Sequence, residues 1–431
     1  MPFTKQLLHR LAGVDIVKVF SFNALSTLLR MLAGMVSVKV VATIIGPAGI
    51  ALLGQLNNFN TILLGVANGG IGSGVTKYVA EYRDDESAIK KYFSNALRIT
   101  LVCSLFVAVV LIFGCRQLSQ LILRSDEYGY VFVFFGFTIS LYTLNGLLIA
   151  IVNGYKQFKK YVAINVSGTI VGLLYSVTLV FFFGLSGALI NAVTFQSIVF
   201  FITLWMCRKM PWMKKEYFKE KFDRLVTKRY LGYSLMTIVS LSLLPVSQML
   251  LRGYVISELS MSEAGIWEGM NRISSMYLSV ITTAFSVYYL PRLSELSDPN
   301  DLHREVMKCY KVIIPMLLCA GTAIYFLRYF ILWLLFTPSF YPMSNLFGWQ
   351  LAGDFFKICS WLLSFVMVAK ARTKMFIITE IAFTLLYVSF CFFFLRMNGV
   401  VGLTQGYLCN YILYMVTMVI IFRSILFVRK S

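Results

Sequence analysis

Residues 30–82 read RMLAGMVSVKVVATIIGPAGIALLGQLNNFNTILLGVANGGIGSGVTKYVAEY, and the fold turns on this stretch. Two apolar runs, each long enough for a helix that crosses a bilayer, meet at Gly46-Pro47-Ala48-Gly49. Arg30 lies about ten residues into the first run, roughly 15 Å deep, near the middle of a hydrocarbon layer ~30 Å thick. A cation there costs at least ~2.5 kcal/mol on insertion scales, so it needs a protein or water partner. In the second run Asn57, Thr61, Gly65, Asn68 and Gly72 recur at helical spacing, making one face amide, hydroxyl and bare backbone. Such a face lines a wet cavity or packs against another helix, where small residues allow close approach. Lys39, nine residues beyond Arg30, turns to the opposite side, either toward a cavity or snorkelling outward.

The chain has 431 residues, 58% hydrophobic and 16% aromatic, and a mean hydropathy of +0.76. That composition predicts an all-α polytopic membrane protein. The 39 Lys and Arg against 19 Asp and Glu, a net charge of +20, would suggest nucleic acid in a soluble protein, but no RNA or DNA motif accompanies them. Topology explains them instead. Eight cysteines without CxxC spacing and only two histidines argue against a disulfide framework, a metal site or a His-based catalytic triad. Asp15 and Lys18 interrupt the N-terminal apolar run, so no removable signal peptide is expected.

About twelve spans are predicted, near residues 20–45, 48–77, 95–115, 129–152, 163–183, 188–206, 230–256, 264–291, 309–336, 344–369, 375–395 and 399–422. The connections at 78–94, 153–162, 207–229, 292–311 and 370–374 hold 22 basic residues, whereas the alternate set holds Arg116, Arg124 and Arg396 only. Basic loops stay cytoplasmic, which puts both termini there. The longest connection, 207–229, separates a six-helix lobe at 1–206 from another at 230–431. Its Trp212, Tyr217, Phe218 and Phe222 suggest an interfacial amphipathic helix touching anionic lipid. Ala48-Gly49-Ile50 recurs as Ala264-Gly265-Ile266, Gly184-x-x-Gly187 as Gly399-x-x-Gly402, and Arg116 as Arg328, at offsets of 216, 215 and 212. Three matches in order point to duplication, and an even number of spans per copy makes it a parallel repeat.

The second half carries its own interior charges. Glu268, Asn271, Arg272, Ser275, Ser279, Thr282 and Ser286 form one stripe, Arg252 follows Gln248 by one turn beyond Pro245, and Gln350, Asp354 and Lys357 share a face. Asp354 with Lys357, and Glu268 with Arg272, read equally as self-neutralising pairs or as proton or sodium sites. Lys77 lies at the cytoplasmic end of its span. Along the membrane axis Arg30, Lys39, Arg252, Arg272, Lys357 and Arg328 outnumber Glu268 and Asp354, which favours an anionic cargo such as a phosphate or diphosphate. No Walker loop is present, so an ion gradient or the cargo's own gradient must drive transport. A membrane glycosyltransferase would need a longer loop with catalytic acids, and an ion-coupled exporter of small amphipathic molecules would favour buried carboxylates.

The strings GPAGIALLGQ, GVTKYVAEY, AGIWEGMNRIS, FSVYYLPRLSEL and WQLAGDFFK, spread over both halves, make the chain resemble the Wzx-type flippases of the multidrug/oligosaccharidyl-lipid/polysaccharide superfamily, above all the lipid III and O-antigen flippases. The resemblance implies a V-shaped pair of six-helix bundles in the bacterial inner membrane, not an enzyme and without a bound cofactor. It also implies an undecaprenyl-diphosphate-linked oligosaccharide as cargo for surface polysaccharide, with a polysaccharide polymerase and a chain-length regulator as protein partners. On the matching positions Arg30, Lys39, Lys77, Arg252 and Asp354 fall in the motif regions; together with the polar stripes read above, the substrate-binding candidates are Arg30, Lys39, Asn57, Thr61, Asn68, Lys77, Gln248, Arg252 and Arg272, and the ion-coupling candidates Asp354 and Glu268. Arg328 and Lys370 fall in the second-lobe motifs, and Glu268 stands where an uncharged amide is expected.

Overall fold

The computed structural model describes residues 3–296, 298–370 and 372–426, and among these the regular elements are all helical. Helix α1 (Phe3–Ala67) turns at Gly46, whose φ of 64° is readily adopted only without a Cβ, and Pro47 then opens the second arm. The second run stops earlier than its apolar length predicts. Gly69 and Gly70 take φ of 63° and 64°, which breaks the helix, and α2 (Gly72–Tyr82) begins afresh. There follow α3 (Glu86–Phe113), α4 (Cys115–Leu123), α5 (Gly129–Gly154), α6 (Phe158–Cys207), α7 (Arg224–Glu258) and α8 (Met261–Ala284). Then come α9 (Leu290–Glu295), α10 (Pro299–Phe326), α11 (Arg328–Leu335), α12 (Phe347–Ala369), α13 (Thr373–Asn398), α14 (Val400–Ile421) and α15 (Arg423–Leu426).

Among the described residues nine helices are long and apolar enough to cross a membrane. Two of them, α1 and α6, contain the turns at Gly46 and Gly184 and so hold two crossings each. Helix α8, less apolar because of Glu268, Arg272 and its serines, completes the expected twelve. Phe113 is 83% exposed and Phe326 74%, outward side chains that suit lipid and would be liabilities in water. The chain is a multi-pass membrane protein.

The repeat seen in the sequence is built twice in the backbone. Gly184 within α6 and Gly399 between α13 and α14 take φ of 53° and 58°. A Cβ added to Gly187 would overlap the Leu179 carbonyl oxygen, and one added to Gly402 would overlap that of Phe394. Each copy thus turns on its first glycine and closes backbone to backbone on its fourth.

The described chain forms two compact units, one of Met1–Ile44 with Gln55–Val246 and the other of Ile45–Gly54 with Ser247–Ser431. Within the first, α5 packs against α2, α3 and α6 over a core that includes Phe93, Ile151, Trp212 and Tyr230. Within the second, α14 packs against α12 and α13 around Leu362, Leu363 and Tyr414, with Trp267, Leu251 and Tyr407 in a neighbouring cluster.

The basic connector departs from expectation. Instead of an amphipathic helix of its own it holds a 3-10 turn, Lys215–Phe218, and irregular chain before α7 begins at Arg224. Trp212 is 2% exposed, stacked on Tyr155 with centroids 6.0 Å apart, and Phe218 stacks on Phe93 at 5.5 Å. The aromatic side chains that suggested a lipid face are packed inward, and Phe222 alone of the four stays exposed. Polar groups at the start of α3 make this possible by satisfying irregular backbone. Ser94 Oγ accepts from the Glu220 N–H at 2.9 Å, Asn95 Oδ1 accepts from the Asp223 N–H at 3.1 Å, and Arg98 donates to the Glu220 carbonyl at 2.6 Å.

Substituting Gly187→Ala or Gly402→Ala should each lower stability by about 1–3 kcal/mol, because the added methyl forces the two arms apart. Thermal unfolding of the detergent-purified variants checks this, with a fall of several degrees expected for both and little change for Gly232→Ala, where a Cβ meets open space.

Candidate functional site

Polar side chains in the first unit gather around two cavities. One, of about 360 Å³, is lined by Arg30, Gly34 and Ser37 from the first arm of α1 and by Asn165, Thr169, Asn191 and Gln196 from α6. Arg30 is exposed at this cavity, among amides and hydroxyls in the lining, and among the described residues no carboxylate pairs with it. The second cavity, of about 490 Å³, takes Thr61, Gly65, Asn68 and Gly72 together with Asn153 and Thr237. Four of the five residues in the polar stripe of the opening stretch therefore face one hollow. The fifth, Asn57, is exposed, and its carbonyl accepts from the Thr61 hydroxyl at 2.9 Å. The break at Gly69-Gly70 brings Asn68 to this wall, where its Oδ1 is buried without a partner among the described residues.

Lys39 is half-buried, and the Lys77 ammonium lies 5.1 Å from the Tyr78 ring centroid. Neither belongs to the Arg30 cavity. A cation over an aromatic face is favoured by the ring quadrupole, and Lys77, exposed in the middle of α2, has that contact.

In the second unit the structure brings three charges together. The Arg252 guanidinium donates to Glu268 Oε2 at 2.5 Å, and Arg272 Nε donates to Glu268 Oε1 at 3.2 Å. The Arg252 side chain is fully buried and also lies 5.6 Å from the Trp267 ring centroid. Gly54 makes the room, since a Cβ there would sit 2.5–2.8 Å from the Glu268 carboxyl atoms. The i, i+4 pair of Glu268 with Arg272 is realised and extended to a third member, leaving two cations on one anion. Gln248 is half-buried one turn before Arg252. Arg328 lies against the Tyr325 and Tyr329 rings at 4.2 and 4.7 Å and donates to the Tyr325 carbonyl.

The other interior acid is satisfied by hydroxyls. Asp354, 2% exposed, accepts from Ser274 Oγ at 2.8 Å, from Tyr407 at 2.6 Å, from Tyr277, and from Gln350 Nε2 at 3.4 Å. Among the described residues no salt bridge joins it to Lys357. The Lys357 ammonium instead lies over Trp361, Tyr407 and Tyr411, 5.0–5.4 Å from their centroids. The helical spacing of Asp354 and Lys357 left pairing open; the tyrosines of α8 and α14, distant in the chain, decide against it.

Solved structures share this fold. An inward-facing multidrug resistance MATE family transporter of the MOP superfamily superposes with a TM-score of 0.66 at 14% identity, covering 94% of this chain and 100% of the other. The lipid II flippase MurJ in an inward closed conformation gives 0.71 at 14%, covering 94% and 87%. The fold is therefore that of the MOP-superfamily membrane transporters. Within that class the chain belongs to the polysaccharide biosynthesis protein family, whose model matches residues 16–297. It is 30% identical over 402 residues to the lipid III flippase of Escherichia coli (strain K12), covering 93% of this chain and 96% of the relative, and equally similar to that of Shigella flexneri.

Removing the acid from the three-charge cluster leaves buried guanidinium without its counter-ion. Glu268→Ala is expected to cost about 3–5 kcal/mol of stability, and Arg272→Ala, which removes the more exposed cation and leaves the Arg252 pair intact, distinctly less. Thermal melts of the two variants side by side give the ranking.

Proposed function

We propose that this chain is a flippase that moves an undecaprenyl-diphosphate-linked oligosaccharide, of the lipid III or O-antigen type, from the cytoplasmic to the periplasmic leaflet by alternating access. The observation that carries this reading is the polar cavity lined by Arg30, a cation with no acid partner among the described residues, beside amides and hydroxyls. A guanidinium binds two oxygens of a diphosphate at once, and the uncharged groups beside it suit sugar hydroxyls. The curated relatives are named lipid III flippases and align over nearly the whole chain, which supports transport of a lipid-linked glycan rather than its chemical modification. The clustering of basic residues in alternate loops supports an inner-membrane placement with both termini cytoplasmic. A polysaccharide polymerase and a chain-length regulator are the partners such a carrier would hand its product to.

Within the second unit, Arg252 and Arg272 are assigned to binding the anionic head group, with Glu268 holding them in place. Coupling to protons or sodium is assigned to Asp354, whose carboxylate sits in a shell of hydroxyls and one amide. The runner-up, an ion-coupled exporter of small amphipathic molecules, rests on the MATE likeness, which is one of fold.

In proteoliposomes with a fluorescent lipid-linked glycan, Arg30→Ala should slow flipping by about tenfold to a hundredfold, the loss of a charge-assisted hydrogen-bonded contact worth ~1.5–3 kcal/mol, and Arg30→Lys should recover part of it. Normal rates in both variants at normal protein levels would remove Arg30 from the mechanism. Asp354→Asn should flatten the dependence of rate on pH or on sodium, and a variant that responds to both as the parent does would end the coupling assignment.

A further inference from the structure

The Arg30 cavity contains more polar chemistry than an anion needs. Asn165, Thr169 and Ser176 project from one face of the first arm of α6, while Asn191 and Gln196 come from its second arm. Asn165 uses its amide nitrogen on the Tyr161 carbonyl at 2.8 Å, and Thr169 donates its hydroxyl to the Asn165 carbonyl at 2.8 Å. Those bonds leave the oxygens of both side chains as acceptors. Gln196 Oε1 accepts from Asn145 Nδ2 at 2.7 Å, which leaves the Gln196 amide nitrogen to donate. Asn191 Oδ1 is buried and has no hydrogen-bond partner among the described residues. A buried acceptor of this kind is open to a donor such as water or a ligand hydroxyl.

The walls are stiff where the two arms meet. A Cβ on Gly172 would overlap the Phe195 ring, and one on Gly168 would come within 3.2 Å of Val199. Phe195 therefore lies fixed in the lining as an apolar ring beside the amides. Arg30 is the one charged residue among those that line the cavity. At about 360 Å³ the space is at the small end of the range for ligand pockets. It suits one or two sugar rings, not a whole oligosaccharide.

We infer that Asn165, Thr169, Asn191 and Gln196 form a sugar subsite that reads the residue next to the diphosphate while Arg30 holds the diphosphate itself. This rests on the flippase reading above. Mixed donors and acceptors without a second charge match an uncharged pyranose, whose hydroxyls both give and take hydrogen bonds. The spans that carry this set are the two arms of α6, and selection of the glycan is thereby a property of the first unit.

The full chain in proteoliposomes is tested with two lipids, undecaprenyl diphosphate and the same lipid carrying its native first sugars. The parent should prefer the sugar-bearing lipid. Asn191→Ala, Gln196→Ala and the isosteric Thr169→Val should each cut that preference about fivefold to tenfold, whereas Arg30→Ala should slow both lipids alike. Thermal midpoints close to that of the parent establish that the variants fold, and Thr169→Val guards against collapse of the site. Unaltered preference in all three amide and hydroxyl variants overturns the subsite. Should the parent flip neither lipid, binding of short-chain water-soluble analogues, a sugar diphosphate against the bare diphosphate, separates the two ideas. A preference lost in Asn191→Ala keeps the subsite and discards flipping; the absence of any preference discards the subsite.

Discussion

A guanidinium inside a hydrocarbon layer persists only if the protein supplies the charge or dipoles that water would have given. This chain meets that demand in two ways. Arg252 is enclosed by Glu268 and the Trp267 ring, with Gly54 giving up its side chain so that the carboxylate fits. Arg30 is instead met by a hollow of amides and hydroxyls, so its charge stays available to a ligand. The first arrangement holds two guanidinium groups on one carboxylate and so keeps a surplus positive charge. The second leaves a cation at the edge of a polar hollow.

Much of the architecture was legible before any coordinates, because spans announce themselves by uninterrupted apolar length and turns by Gly-Pro pairs. The twelve crossings and the join at Gly46-Pro47 follow from residues close together in the chain, and the duplication marked by Gly184 and Gly399 from short strings repeated at a nearly constant offset. What escaped depends on partners far away in sequence. The connector aromatics looked lipid-facing because nothing local reveals that Ser94, Asn95 and Arg98, more than a hundred positions earlier, cap its backbone. Helical spacing placed Lys357 beside Asp354, yet Tyr277 and Tyr407 take the carboxylate and aromatic rings take the ammonium.

The candidate site was legible in half. Arg30 stood out because a charge at mid-depth is costly, and the stripe of Thr61, Asn68 and the glycines because it breaks an apolar run. Asn165, Thr169, Asn191 and Gln196 were missed, since isolated amides in separate spans carry no periodic signal of their own. Their convergence is produced by the turn at Gly184, which brings two arms of one helix around a common space. The break at Gly69-Gly70 escaped as well, two small residues being compatible with a continuous apolar helix until their backbone angles are seen.

The strap between Arg208 and Arg229 bears on biogenesis. A chain that ends at residue 206 lacks the indole that stacks on Tyr155 and meets Phe93 edge-on. The first unit is thus completed by residues beyond the chain's midpoint, which double back and bond to α3. An expression fragment cut at the last apolar residue of the sixth crossing would carry an uncovered aromatic cluster, which makes the natural place to divide this polypeptide later than hydropathy alone suggests.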